Sequence, residues 1–255
     1  INAALTVVSL LMVLYLIRKD LNPASPLAWL LVCCLTPVLG GILYLLFGDK
    51  RPSRGLRYCM EKVQKAHIAA LAQPDGIQQQ LAPRAAGISY YLSHYGPCPA
   101  WDHTASTYYP LGDDAYARIL QDLEHAQHFI FMEYFIISEG EMWRSISAIL
   151  KRKAREGVDV RVVYDDVGSA PSLPAHLRRD LTSAGVRCMA FNPMVPLVAI
   201  VMSHRDHRKI LVVDGCIGYT GGINIADEYI NRISRFGHWK DSAVRLEGAA
   251  VWNLT

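Results

Sequence analysis

The chain begins as long apolar runs and later becomes short alternating ones. Residues 1–17 are apolar almost throughout and end at Arg18-Lys19-Asp20, and residues 27–47 form a run of 21 without a charge. About 20 apolar residues in a helix match the ~30 Å hydrocarbon core of a bilayer. The pattern therefore predicts two transmembrane helices, over about 1–17 and 27–47. The stretch Leu21-Asn22-Pro23-Ala24-Ser25-Pro26 reads as the turn between them. Pro37 and Gly40-Gly41 predict a kink or a close helix contact within the second run. The alternatives are a cleaved signal peptide for the first run and a buried core helix for the second. No small-residue cleavage site follows residue 17, and a second apolar run comes at once.

The next stretch is basic, with Lys50, Arg51, Arg54, Arg57, Lys62 and Lys65 against Asp49 and Glu61. An excess of Lys and Arg marks the cytoplasmic side of a span, which places this end in the cytoplasm, although Arg18 and Lys19 argue the other way. The same cations suit anionic headgroups, at about 1 kcal/mol each near a membrane surface, or a solvated charged helix. Helices are expected over 56–72 and 87–95, with a linker over 73–87.

From about residue 106, strand and helix patterns alternate. Strands are expected over 107–111, 129–137, 158–164, 186–191, 208–213, 217–220 and 242–246. Helices are expected from Asp113 or Asp114 to about 127, and over 141–156, 177–184 and 225–231. This order predicts an α/β fold, a mixed sheet with helices on both faces. Three parts follow: a transmembrane anchor over 1–48, a basic juxtamembrane helix and linker over 49–100, and an α/β domain over 101–255. The chain starts at Ile1 and stops at Thr255 inside a starting helix, so it reads as part of a longer protein. A net charge of +3 decides nothing about partners, and six cysteines without a C-x-x-C pair favour a reducing compartment.

The chemistry concentrates in S-H-R-D-H-R-K-I-L-V-V-D-G-C-I-G-Y-T-G-G-I-N-I-A-D-E-Y, residues 203–229. Ile210-Leu211-Val212-Val213 reads as a buried strand. Residues two apart on a strand share a face, so His207 and Lys209 project together from its start. Asp214 falls at its end, beside the Gly215 turn, and the next strand delivers Gly221, Gly222 and Asn224. This set suits phosphoryl transfer. An imidazole can attack phosphorus, and an ammonium neutralises non-bridging oxygens. Glycines let backbone N–H groups approach an anion, and an amide adds a donor. A hairpin with a chance charge cluster is the bland alternative.

The spacing H-x-K-x4-D-x6-G-G-x-N resembles the HKD motif of the phospholipase D superfamily. The wider run, together with A-W-L-L-V and P-V-L-G-G-I-L-Y-L-L-F-G upstream, resembles the bacterial cardiolipin synthases. The resemblance implies a phospholipase D-type half-domain in which His207 forms a phosphohistidine and Lys209 and Asn224 hold the phosphate. It implies no metal and no other cofactor. It makes Asp214 the motif aspartate, structural rather than a base, and Asp241 the carboxylate that orients the imidazole. Many relatives carry Ser where this chain has Gly222, so a hydroxyl donor is expected to be missing. Two molecules of phosphatidylglycerol would give cardiolipin and glycerol, at a bacterial inner membrane, with the catalytic domain on the cytoplasmic side and no nucleic acid involved.

Leaving-group protonation needs a second motif, from a later half-domain or a homodimer partner. His238-Trp239-Lys240 begins like one, but position 245 is Arg. Glu133, the lone charge in F-I-F-M-E-Y-F-I-I, is expected either to face Lys209 or a substrate hydroxyl, or to be a satisfied core carboxylate. His204 is a candidate to support His207 from behind. Asp165-Asp166 reads as a helix cap or loop device before it reads as a metal site. Residues 194–202 form an apolar loop that could line an acyl-chain entry or pack ordinarily. The competing functions are a membrane-anchored hydrolase or nuclease of the same superfamily, and a non-catalytic lipid-binding half-domain.

Overall fold

The computed structural model describes residues 11, 14–15, 18, 24–47, 54–71, 76–96, 98–174, 176–193, 205–235 and 237–255. The chain divides into two compact units, residues 1–63 with 195–201, and residues 64–194 with 202–255.

In the first unit the run expected to be one span is two helices, α1 (Ala24–Leu35) and α2 (Pro37–Phe47), of 12 and 11 residues. Among the described residues no helix is long and apolar enough to cross a membrane. The break falls at Thr36, where the following proline has no N–H to donate and disfavours helical backbone before it. The Thr36 hydroxyl instead donates to the Val32 carbonyl at 3.0 Å. Beyond the break α2 folds back on α1. The Trp29 and Tyr44 rings meet edge to face at 5.5 Å, and Trp29, Cys33 and Tyr44 are buried together. Gly40 is the point of contact, since a β-carbon there would stand 2.8 Å from Cys33 Cα. The kink and the close contact expected at Pro37 and Gly40 are present. The expected first span lies almost wholly outside the described residues. Helix α3 (Arg54–Ala70) follows.

The second unit takes in the last part of α3, from residue 64, and continues with the short α4 (Ile77–Gln80) and α5 (Pro83–Tyr95). Its body is a seven-stranded sheet: β1 (Thr104–Tyr109), β2 (Phe129–Tyr134), β3 (Asp159–Asp165), β4 (Arg187–Phe191), β5 (Lys209–Val213), β6 (Ile217–Gly221) and β7 (Ala243–Gly248), ordered β1-β7-β6-β5-β2-β3-β4. Strand β2 runs parallel to β3 and antiparallel to β5. The carboxyl ends of β2 and β3 therefore lie beside the amino end of β5, where the histidine and lysine of the motif sit.

Side chains alternate along β2, with Ile130, Met132 and Tyr134 buried and Phe129, Phe131 and Glu133 half-buried. The buried face packs under α6 (Gly112–Glu124), α7 (Glu141–Arg155) and α9 (Leu177–Ser183), through Ile119, Leu123, Ile146, Leu150, Leu177 and Leu181. The one-turn α8 (Asp166–Ser169) lies between β3 and α9. Among the described residues the other face carries a 3-10 helix, Ala249–Leu254, whose Val251 and Leu254 fit against Gly218. The mixed sheet is as expected, while helices cover one face far more than the other.

The strand expected over 107–111 begins earlier, at Thr104, because its partners are Ala243–Gly248 of β7. The helix expected over 225–231 is a series of turns. There the Asp227 carboxylate accepts from Glu141 N at 2.8 Å and Met142 N at 2.9 Å, capping α7 instead of extending a helix of its own.

Candidate active site

Lys209 is the first residue of β5 and only 5% exposed, directly opposite Tyr134 of β2. Its Nζ donates to the His207 carbonyl at 2.6 Å and lies 3.1 Å from His207 Nδ1. The side chains predicted to share a face do so. Phe135, just past β2, forms the wall behind both, with its ring 4.5 Å from the His207 ring and 5.2 Å from Lys209 Nζ. Burial lowers the Lys209 pKa, and the carboxylates of Asp241 and Asp206 partly offset this. The amine is thus easier to deprotonate than an ordinary lysine.

The Asp241 carboxylate raises the Lys209 pKa through its charge. Among the described residues no hydrogen bond joins it to His207, whose Nδ1 faces Lys209, and Asp241 Oδ1 accepts from Ser242 N at 2.8 Å. Both glycines make room for neighbouring atoms. Gly222 N–H is already bonded to the Ser242 carbonyl at 3.0 Å. A β-carbon on Gly222 would stand 1.9 Å from Asp241 Oδ1, and one on Gly221 would stand 2.3 Å from the Ser242 carbonyl oxygen. The hydroxyl expected to be missing at position 222 has no space there, because the Asp241 carboxylate fills it.

Asn224 is 2% exposed and mostly engaged. Its Oδ1 accepts from Ile136 N at 3.0 Å, and its Nδ2 donates to the Tyr229 hydroxyl at 2.7 Å. One amide hydrogen is left over for an anion. Asp214 sits at the far end of the five-residue β5. Its carboxylate accepts from Gln127 N, His128 N and Phe129 N at 2.8, 2.7 and 2.8 Å. Burial pushes its pKa up, but these donors prevail and hold it below the usual range. Grouped with the catalytic residues by the motif, it is a clamp between β5 and the start of β2.

Glu133 points away from Lys209. It pairs with Ile210 across the ladder and meets Arg208 at 2.5 Å on the opposite face. Burial and a hydrogen bond with Asp206 push its pKa up to about 7 against the pull of Arg208. Asp206 is held down at about 2: burial raises it, but the Arg208 guanidinium and the Glu133 proton outweigh that. Of the two carboxyls, Glu133 is the one that holds a proton more tightly. His204 and residues 194–202 lie outside the described residues.

Two contributors were not visible in the sequence. Phe135 read as strand core, and Asp165 as a cap. Asp165 does cap α8, and it also binds the chain just before His207. Among the described residues no three His, Cys, Asp or Glu side chains gather as metal ligands. Behind the site, Asp122 receives Arg245 Nε at 2.7 Å, Arg118 Nε at 3.2 Å and the Tyr219 hydroxyl. Arg245, the residue that breaks the second motif, is thus a core ion-pair partner.

An imidazole against a buried ammonium, at the end of a mixed sheet, agrees with the phospholipase D-like class that the family models match. Residues 119–234 match the family described as "Cardiolipin synthase, PLD-like domain", and residues 4–48 match "Phospholipase_D-nuclease N-terminal". By that match residues 119–234 are a phospholipase D-like domain of the cardiolipin synthase type. Cardiolipin synthase 1 of Bacillus anthracis is 32% identical over 98% of this chain and 50% of its own length. Cardiolipin synthase of Alkalihalophilus pseudofirmus is 34% identical over 92% of this chain and 48% of its own. The chain spans about half the length of these curated relatives. Among solved structures, the phospholipase D family member Nuc of Salmonella typhimurium is 19% identical, with a TM-score of 0.43, over 59% of this chain and 86% of its own.

Proposed function

We propose that this chain carries the nucleophilic half of a membrane-anchored cardiolipin synthase. The observation that supports this most is the buried Lys209 ammonium against His207, at 3.1 Å from its Nδ1. For Nε2 to attack phosphorus the ring must carry its proton on Nδ1, so the Lys209 ammonium, which can only donate, turns from Nδ1 to the phosphate oxygens when substrate binds. In the first step Nε2 bonds to the phosphorus of one phosphatidylglycerol, the phosphorus–oxygen bond to the headgroup glycerol breaks, and glycerol departs with a proton. In the second step the headgroup hydroxyl of another phosphatidylglycerol attacks the phosphohistidine. The phosphorus–nitrogen bond breaks, the hydroxyl proton passes to the second motif's histidine that had protonated the glycerol, His207 is restored, and cardiolipin forms. Lys209 offsets the charge on the non-bridging oxygens in both steps, and Asp241 keeps that lysine protonated against burial.

His207 cannot protonate the leaving glycerol while bonded to phosphorus, so a second histidine motif is required. We assign it to a further half-domain, with a second copy of this chain as the alternative source. Residues 1–48 are assigned to membrane anchoring, on their apolar composition and their match to the N-terminal family. The basic residues 50–65 then face the cytoplasmic leaflet of a bacterial inner membrane.

The deciding experiment supplies phosphatidylglycerol labelled in the acyl chain to the purified chain, with and without a separately expressed carboxyl-terminal half from a relative. Labelled cardiolipin that appears with the half and vanishes with His207→Ala is the expected result. Phosphatidic acid in its place would make the protein a hydrolase. Full activity from this chain alone would favour the homodimer.

A further inference from the structure

Asp165 is 0% exposed, at the end of β3. Its Oδ2 accepts from Asp206 N at 2.9 Å, fixing the main chain immediately before His207. Its Oδ1 accepts from Val167 N at 3.0 Å and Gly168 N at 2.8 Å, and meets Arg205 Nη1 at 3.3 Å. One buried carboxylate thus holds both the approach to the histidine and the turn of α8.

That turn shapes the wall behind the imidazole. Gly168 lies so close to Phe135 that a β-carbon would stand 2.5 Å from the ring and 2.6 Å from the carbonyl oxygen. Ser169 Oγ donates to the Phe135 carbonyl and accepts from Ile137 N, each at 3.1 Å. The Phe135 ring faces both His207 and Lys209.

We propose that Asp165 is a positioning residue for the His207–Lys209 pair, acting through two arms: the Asp206 amide on one side and α8 with Phe135 on the other. The proposal rests on reading His207 as the reacting group. Three backbone donors and a guanidinium converge on Asp165, so its carboxylate must accept on both oxygens. An asparagine has one acceptor oxygen, and its NH2 group would face an N–H it cannot accept from. Displacing a nucleophile by about 1 Å costs on the order of 100-fold in rate.

The test uses the full chain in detergent micelles, with histidine rings labelled by 13C and the His207 signal assigned by its absence in His207→Gln. Phe135→Leu calibrates the ring-current displacement of that signal. In Asp165→Asn most of the displacement should disappear. With the other half supplied, kcat should fall about ten-fold or more, while KM changes far less. Asp165→Asn with the wild-type His207 signal overturns the proposal. If Asp165→Asn does not fold, Gly168→Ala, which must push Phe135, takes its place: a displaced His207 signal is expected, and an unmoved one overturns the idea. The signal needs no turnover. If His207→Ala still transferred phosphatidyl groups, that would count against the choice of nucleophile and leave the ring-current result standing.

Discussion

The carboxylate of Asp241 occupies the space that a side chain on Gly222 would need, with 1.9 Å between Oδ1 and a β-carbon built there. The same carboxylate raises the pKa of Lys209 against burial. The glycine and the charge state of the lysine are therefore linked. Gly222→Ser should move Asp241 away, lower the Lys209 pKa further, and shift the alkaline limb of the activity profile to lower pH. Activity at the optimum should fall about ten-fold, equivalent to about 1.4 kcal/mol. Rates measured from pH 6 to 10 would show it, and a profile matching wild type would break the link.

Asp214→Ala should destabilise the domain by about 2–4 kcal/mol in urea denaturation, because three backbone N–H groups lose a charged acceptor. The folded pKa is depressed, so the stability from this carboxylate is complete above the ordinary aspartate range and is lost as pH falls through the folded value. Asp214→Asn should lack that acid-side decline. An unchanged decline in the variant would mean that another carboxylate produces it.

Glu133→Gln should act in the opposite sense. With a folded pKa of about 7 against 4.5, the folded protein holds a proton that the unfolded chain releases. The stability from this group is complete below about 4.5 and lost as pH rises through about 7, a span on the order of 3 kcal/mol. The glutamine variant should therefore lose less stability than wild type between pH 5 and 8. Parallel stability curves for the two proteins would refute the raised Glu133 pKa.

Asp122→Asn removes one member of a buried ion-pair network and strands Arg245, which is 5% exposed. A cost of about 3–5 kcal/mol is expected, read as a drop in the urea midpoint with an unchanged slope. A change of less than about 1 kcal/mol would show that Arg245 finds another acceptor, with Glu247 at 2.5 Å the candidate.

Much of the α/β domain was legible in the sequence, because its strands and helices carry their own periodicities. The strands at β3, β4, β5 and β6 fall within a residue or so of expectation. The errors came where side chains take over backbone groups. The apolar run over 129–137 continues past β2 in sequence, yet Ile136 N and Ile137 N bond to Asn224 and Ser169 and leave the ladder. Residues 225–231 have helical composition, but Asp227 is committed to α7. At the site, spacing alone brought His207 beside Lys209. The partners of Asp241, Asn224 and Gly222 depend on which strand ends meet, and the sequence holds no local signal for that.

The clamp at Asp214 has a consequence for the order in which the chain can fold. Strands β5 and β6 form a hairpin closed over a few residues, which loop-closure entropy favours early. The donors that satisfy Asp214 lie 85–87 residues away, and the β2 partners of the strand lie nearly as far back in the sequence. Until that distant pairing forms, Lys209 has no Tyr134 opposite it and neither motif side chain has Phe135 behind it. A nascent hairpin thus carries the whole motif without the pocket, which is complete only once β5 has paired with β2.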